Sequence, residues 1–357
     1  MSFLLHDRGP SPLRQLLPKL ALLASSLVFT LLVTEASLRV AFYHSKDFAM
    51  EMWKYAAQLK QPVSNPDLSF VHVPNGHAFL MGVDVGINSQ GLRDYEYSFA
   101  KPPETYRIMM LGDSTTLGWG VPLEATVPKV LERELNEGRP LGIDRFEVLN
   151  AGVGNYNTVQ EVAYYETIGK AFDPDFVVLV FFINDPEPVP RERKRLFIGQ
   201  SYLVAFVTSR FDNVLRLLGM RPEWKIYYAS LYDDNKPAFQ ACRVALARVA
   251  TLSPRSRVLV ALLPELHQIN NDSYPFKEQH RRIKNLLTSQ GVPVIDLIDG
   301  LKDHGPESRL WVTPADDHPN GKANALIAQQ LREWFRTQPR FWLPAQPARR
   351  PQTFIVP

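Results

Sequence analysis

From Pro102 onward, short apolar runs alternate with stretches whose apolar residues recur at helical spacing. The runs are 106–111 (YRIMML), 146–150 (FEVLN), 176–182 (FVVLVFF), 258–263 (VLVALL) and 292–296 (VPVID). Their length and β-branched content predict buried parallel strands. Helical patterns fall near 123–137, 157–170, 237–252, 276–290 and 321–336. Strands and helices in this alternation predict an α/β, doubly wound, five-stranded parallel sheet, where ligands collect at the carboxyl ends of the strands.

Before this domain the pattern changes twice. Residues 20–34 (LALLASSLVFTLLVT) carry no charge, and the apolar pattern resumes after Glu35 and Arg39. A helix over 20–42 is long enough to cross a bilayer, and Glu35 and Arg39 share one of its faces. Arg8, Arg14 and Lys19 precede it against Asp7, so the stub 1–19 is expected in the cytoplasm and the remainder exported. A cleaved signal peptide is the rival reading, and a buried core helix the third. Residues 44–101 show Gly, Pro and Asn punctuation around short alternating runs, which predicts an irregular, partly β lead-in. The expected domain then covers 102–337, with an insertion at 186–235. That insertion holds the basic run 191–195 and the apolar segment 196–207. A proline-rich tail occupies 338–357.

Composition narrows the chemistry. The 357 residues include 40 Lys and Arg, 37 Asp and Glu and one cysteine, Cys242. One cysteine excludes an internal disulfide framework and any CxxC site. The even charge balance gives no sign of a nucleic-acid partner.

Four segments sit just after predicted strands. Gly112-Asp113-Ser114 leads from the first strand into a turn. There a serine meets backbone N–H groups at the positive end of a helix. Asn150-Ala-Gly152-Val-Gly154-Asn155 follows the second strand and offers donors from a glycine loop. Asn184-Asp185 follows the third and offers a side-chain amide, while Asp316-Asp317-His318 follows the fifth and offers an imidazole beside carboxylates. Together they supply a nucleophile, a base, an orienting acid and oxyanion donors, the set that acyl transfer through serine needs. No GxSxG elbow, HExxH or P-loop occurs.

These four segments, in this order, resemble the blocks of the SGNH (GDSL-type) hydrolase superfamily. The lead-in Ile87-Asn88-Ser89-Gln90-Gly91-Leu92-Arg93-Asp94 after one N-terminal span resembles its membrane-anchored bacterial members. The resemblance implies a flavodoxin-like fold, no metal and no cofactor, and hydrolysis of a lipid, glycan or small ester. It implies Ser114 as nucleophile, His318 as base, and an oxyanion hole from Ser114, Gly154 and Asn184. Two positions depart from the pattern. The family's aspartate stands three residues before the histidine, where this chain has Ala315, so Asp316 is the expected orienter. The oxyanion residue of the glycine loop aligns with Gly154 or Asn155, and Gly154 is the expected donor. Two other outcomes share the same residues: an O-acyltransferase acting on exported polysaccharide, and a decayed site on an envelope- or glycan-binding protein.

Overall fold

The computed structural model describes residues 12–138, 143–190, 200–252, 257–270 and 274–342. The basic run 191–195 and most of the expected tail lie outside these residues.

An apolar helix, α1 (Pro12–Ala41), comes first, and its part from Leu16 to Ala41 is long and apolar enough to cross a membrane. Its large side chains, among them Leu22, Leu23, Phe29 and Leu32, are exposed, so it is not a core helix. Glu35 and Arg39 pair at 2.8 Å on one face.

The lead-in, read from sequence as irregular and partly β, holds short ladders and one element that its punctuation did not predict. It opens with a full helix, α2 (Phe48–Leu59), capped by Asp47 accepting from Met50 N–H. Its inward stripe (Met50, Glu51, Lys54, Tyr55 and Leu59) mixes charge with apolar bulk, which hides the helical period from a hydropathy reading. The buried Glu51–Lys54 pair at 2.8 Å makes that mixture tolerable. Two small antiparallel ladders follow. β1 (Lys60–Pro62) pairs with β2 (Phe70–His72), and β3 (His77–Leu80) pairs with β4 (Val83–Gly86).

The main sheet is parallel throughout, in the order β6-β5-β7-β8-β9. Its strands are β5 (Thr105–Gly112), β6 (Arg145–Gly152), β7 (Phe176–Phe181), β8 (Val258–Leu262) and β9 (Val294–Asp296). Every residue of β5, β7 and β8 is buried, as expected for strands covered by helices on both faces. Around the sheet run α3 (Ser114–Leu117), α4 (Val127–Gly138), α5 (Thr158–Thr167), α6 (Tyr202–Leu217), α7 (Trp224–Leu231), α8 (Pro237–Val249), α9 (Lys277–Ser289) and α10 (Gly321–Thr337). α4 packs on α10 and α5 on α8, giving the two helical layers of a flavodoxin-like fold.

Two local expectations change. The helix expected from 123 begins at Val127, because Pro122 and Leu123–Ala125 form a tighter turn first. The stretch from Asp316 does not leave the fifth parallel strand. It forms β11 (Asp316–Pro319), antiparallel to β10 (Trp311–Thr313), and the pair stands beside the sheet.

In the insertion, α6 begins where Glu35 of α1 accepts from Tyr202 N–H at 3.1 Å and Leu203 N–H at 2.9 Å. A carboxylate at a helix start satisfies N–H groups that have no partner within the helix. α6 leaves Val204, Val207, Phe211 and Val214 exposed along one stripe, while Ala205 is buried.

Candidate active site

β5 ends in Gly112, and the chain turns at Asp113 into the single-turn helix α3 with Ser114 first. The Asp113 side chain accepts from Thr115 N–H and Thr115 Oγ, each at 2.8 Å. That locks the turn and presents Ser114 at the positive end of the helix. Glycine is required across the turn: a Cβ on Gly152 of β6 would lie 2.2 Å from Leu117 N. Burial raises the Asp113 carboxyl above its ordinary range, against the Thr115 hydrogen bonds.

Ser114 Oγ lies 2.9 Å from His318 Nε2, although 204 residues separate them. His318 Nδ1 lies 2.6 Å from Asp316 Oδ1. A carboxylate there holds the ring proton on Nδ1 and leaves Nε2 as the acceptor facing the serine. Asp316 is itself held, accepting from Trp119 Nε1 at 3.0 Å and from His318 N–H at 3.2 Å. The three expected residues Ser114, His318 and Asp316 therefore stand in one hydrogen-bonded line. The short spacing works because β11 is extended and Asp316 and His318 face the same side of it. Asp317, between them, lines the same cavity and turns its carboxylate to His267, 3.4 Å away.

Burial pulls the His318 imidazole down, but the hydrogen bond and charge of Asp316, with the charges of Asp317 and Asp113, outweigh it. The net shift is upward. A base raised in this way takes a serine proton more readily than free imidazole does.

The line opens into a cavity of about 670 Å³ whose wall also carries Phe48, Met52, Asn155, Asn184, Trp224 and Tyr228. Asn184 sits at the expected strand end, with its side-chain oxygen buried and unbonded. Gly154 does not behave as expected. Its N–H donates to Tyr55 Oη at 2.8 Å, and a Cβ there would meet the Tyr55 ring at 2.7 Å. The loop residue that reaches the cavity is Asn155, in the left-handed region at φ 67°. Asparagine tolerates that backbone better than most side chains.

Sequence reasoning missed a second titratable group on the same wall. His267 Nδ1 contacts Glu265 and lies 3.4 Å from Asp317 Oδ2, and its ring packs between Trp224 and Trp311. The Asp317 hydrogen bond lifts His267 to about 9 against burial, and burial together with Asp317 lifts Glu265 to about 9. Asp317 is lowered, its bonds to His267 and Glu265 overcoming burial. Each of these three residues offers a possible metal-ligand atom, but the atoms are satisfied by one another. The nearest sequence signal was His267 following β8, a position with no motif of its own.

Arg93, near the end of the 87–94 segment, ties the lead-in to the turn after Ser114. It is buried and donates to the carbonyls of Leu117, Gly118 and Val121 at 3.1, 2.5 and 2.6 Å.

A family model of GDSL-like lipases and acylhydrolases matches residues 110–326, more than half of the chain. The comparison with curated proteins gives no match. Among solved structures, the chain is 19% identical to a two-domain esterase active on acetylated mannans, co-crystallised with mannopentaose. That match covers 68% of this chain and 52% of the other at a TM-score of 0.43. It is 15% identical to a lipase/acylhydrolase from Enterococcus faecalis, with 64% and 96% covered at 0.40. An acetyl xylan esterase is also 15% identical, with 65% and 99% covered at 0.39. The chain spans about half the length of the two-domain esterase.

Proposed function

We propose how this protein works from one premise: the chain belongs to the GDSL-like lipase/acylhydrolase family and is a serine ester hydrolase. Ser114 Oγ attacks the carbonyl carbon of a carboxylic ester and gives its proton to His318 Nε2. Asp316 keeps the imidazole oriented and stabilises its charged form. The oxyanion is held by Ser114 N–H, the Asn184 amide and the loop at Asn155, which takes the place first expected for Gly154. Collapse expels the alcohol, protonated by His318, and leaves an acyl-Ser114. Water, deprotonated by His318, then releases the acid and restores the serine.

The observation that carries this reading is the line Ser114–His318–Asp316, at 2.9 and 2.6 Å, opening into the cavity. A fluorophosphonate probe, which reacts only with an activated serine, is expected to label Ser114. Ser114→Ala abolishes labelling and lowers ester turnover by about 10⁴-fold or more. Turnover that survives Ser114→Ala would sink the assignment.

The reading extends to placement. α1 is exposed along its apolar length and passes into α2, whose Phe48 packs against His318 with ring centroids 5.6 Å apart. α1 is then a membrane anchor, with the N-terminus cytoplasmic and the hydrolase exported beside the bilayer.

A further inference from the structure

The loop that brings Asn155 to the cavity is held from its own domain at Val153, whose N–H donates to the Gly112 carbonyl at 3.0 Å, but at Gly154 it is held from outside. Gly154 N–H donates to Tyr55 Oη at 2.8 Å. Tyr55 lies 2.7 Å from His72 Nε2, and His72 Nδ1 lies 3.1 Å from the carbonyl of Gly91. A carbonyl only accepts, so the ring proton of His72 is on Nδ1. Nε2 must then accept from Tyr55, and Tyr55 Oη is left to accept from Gly154. Every donor in the series has one acceptor and the direction is unambiguous. Tyr55 is fully buried and His72 2% exposed, so water does not compete for these atoms. Lys60, beside them, donates to Asn155 Oδ1 at 2.9 Å. All three side chains belong to the lead-in, before the 110–326 segment that the family model matches.

We infer that Tyr55 and His72 are positioning residues of the oxyanion hole: by holding Gly154 N–H out of the cavity, they fix the loop in the shape that presents Asn155 to the reacting carbonyl. This rests on the serine esterase reading above. Burial pulls the His72 imidazole down to about 3, so the ring stays neutral and its acceptor nitrogen is preserved across the working pH range. Were Gly154 itself the donor, Tyr55 would be an inhibitor of its own enzyme, and removing the hydroxyl would raise activity.

The test compares Tyr55→Phe, His72→Leu and His72→Gln in the full chain on a p-nitrophenyl ester, with thermal unfolding as the check on folding. Glutamine keeps an acceptor near the position of Nε2, and leucine does not. The expected result is a fall in kcat of about 10-fold to 100-fold for Tyr55→Phe and His72→Leu. KM should change less than threefold, and His72→Gln should recover most of the rate. The fluorophosphonate labelling rate of Ser114, measured on folded variants, should fall in parallel. Wild-type or raised kcat in folded Tyr55→Phe, or equal losses in His72→Gln and His72→Leu, overturns the inference. Failure of the wild type to react at Ser114 overturns the esterase reading instead, and the inference falls with it.

Discussion

The loops at the carboxyl edge of the five-stranded sheet and the lead-in that covers them hold their buried polar groups by different means. At the sheet edge the backbone comes first. β5 is buried from end to end, Gly112 and Gly152 allow the chain to turn without clash, and Ser114 is set at the cavity wall by a helix start. The side chains there have short reach and are aimed by the strands. In the lead-in the ladders are three or four residues long and place little by themselves. Long polar side chains reach across instead. Arg93 closes three carbonyls at and just beyond the end of α3, and Tyr55 closes the loop after β6. The sheet supplies the reacting groups, and the lead-in supplies their rigidity. A catalytic edge of this kind needs both, because donors must be fixed before charge develops if they are to stabilise it without reorganising.

The comparison is tested most severely on the sheet side. Asp316→Asn keeps the shape of the line but stabilises the wrong imidazole tautomer, and kcat is expected to fall by about 10³–10⁴-fold. The same variant sharpens the electrostatic account. His318 must be neutral to accept the serine proton, so activity rises with pH as the imidazole loses its charge. Asp316 contributes to the raised affinity of His318 for that proton. Without it the acidic limb of the residual kcat/KM profile moves to lower pH. A limb that stays in place or moves upward contradicts the assignment.

On the lead-in side, Arg93→Met removes a buried charge and leaves the carbonyls of Leu117, Gly118 and Val121 unsatisfied. The expected cost is about 3 kcal/mol of stability, read from the urea midpoint. The effect on kcat per folded molecule should be smaller than that of Asp316→Asn. An unchanged midpoint would mean that the lead-in is not the rigid frame described here.

The smallest effect is expected where the regions touch. Phe48→Ala opens the cavity wall beside His318 and removes about 1 kcal/mol of apolar contact with substrate. That corresponds to roughly a fivefold rise in KM with little change in kcat. A large loss of kcat instead would place Phe48 in the positioning of the histidine.

Much of this arrangement was legible in the chain. The five apolar runs became the five parallel strands because strands covered by helices read as short apolar runs, and that pattern is local; the buried Arg107 of β5 is accommodated by pairing with Glu147 of β6. Gly112-Asp113-Ser114, Asn184 and the histidine at 318 were legible because each side chain is aimed by the backbone that carries it. α2 was not legible, since its buried face contains Glu51 and Lys54, satisfied through each other, through Met81 N–H and through the carbonyls of Phe42 and Tyr43. That the Gly154 N–H is taken by Tyr55 was not legible for a related reason. The two stand 99 residues apart, and no rule of spacing connects Tyr55 with the loop after β6.

The amino-acid sequence by itself determined the sheet, the apolar helix before it, and which serine, histidine and aspartate were available for chemistry. Those follow from burial and from local backbone geometry, which act within a few residues. The tertiary structure alone decided that Asn155 rather than Gly154 reaches the cavity and that Tyr55 of the lead-in takes the Gly154 N–H. These choices turn on hydrogen bonds of about 3 Å between distant segments, and only the packed chain determines which donor meets which acceptor.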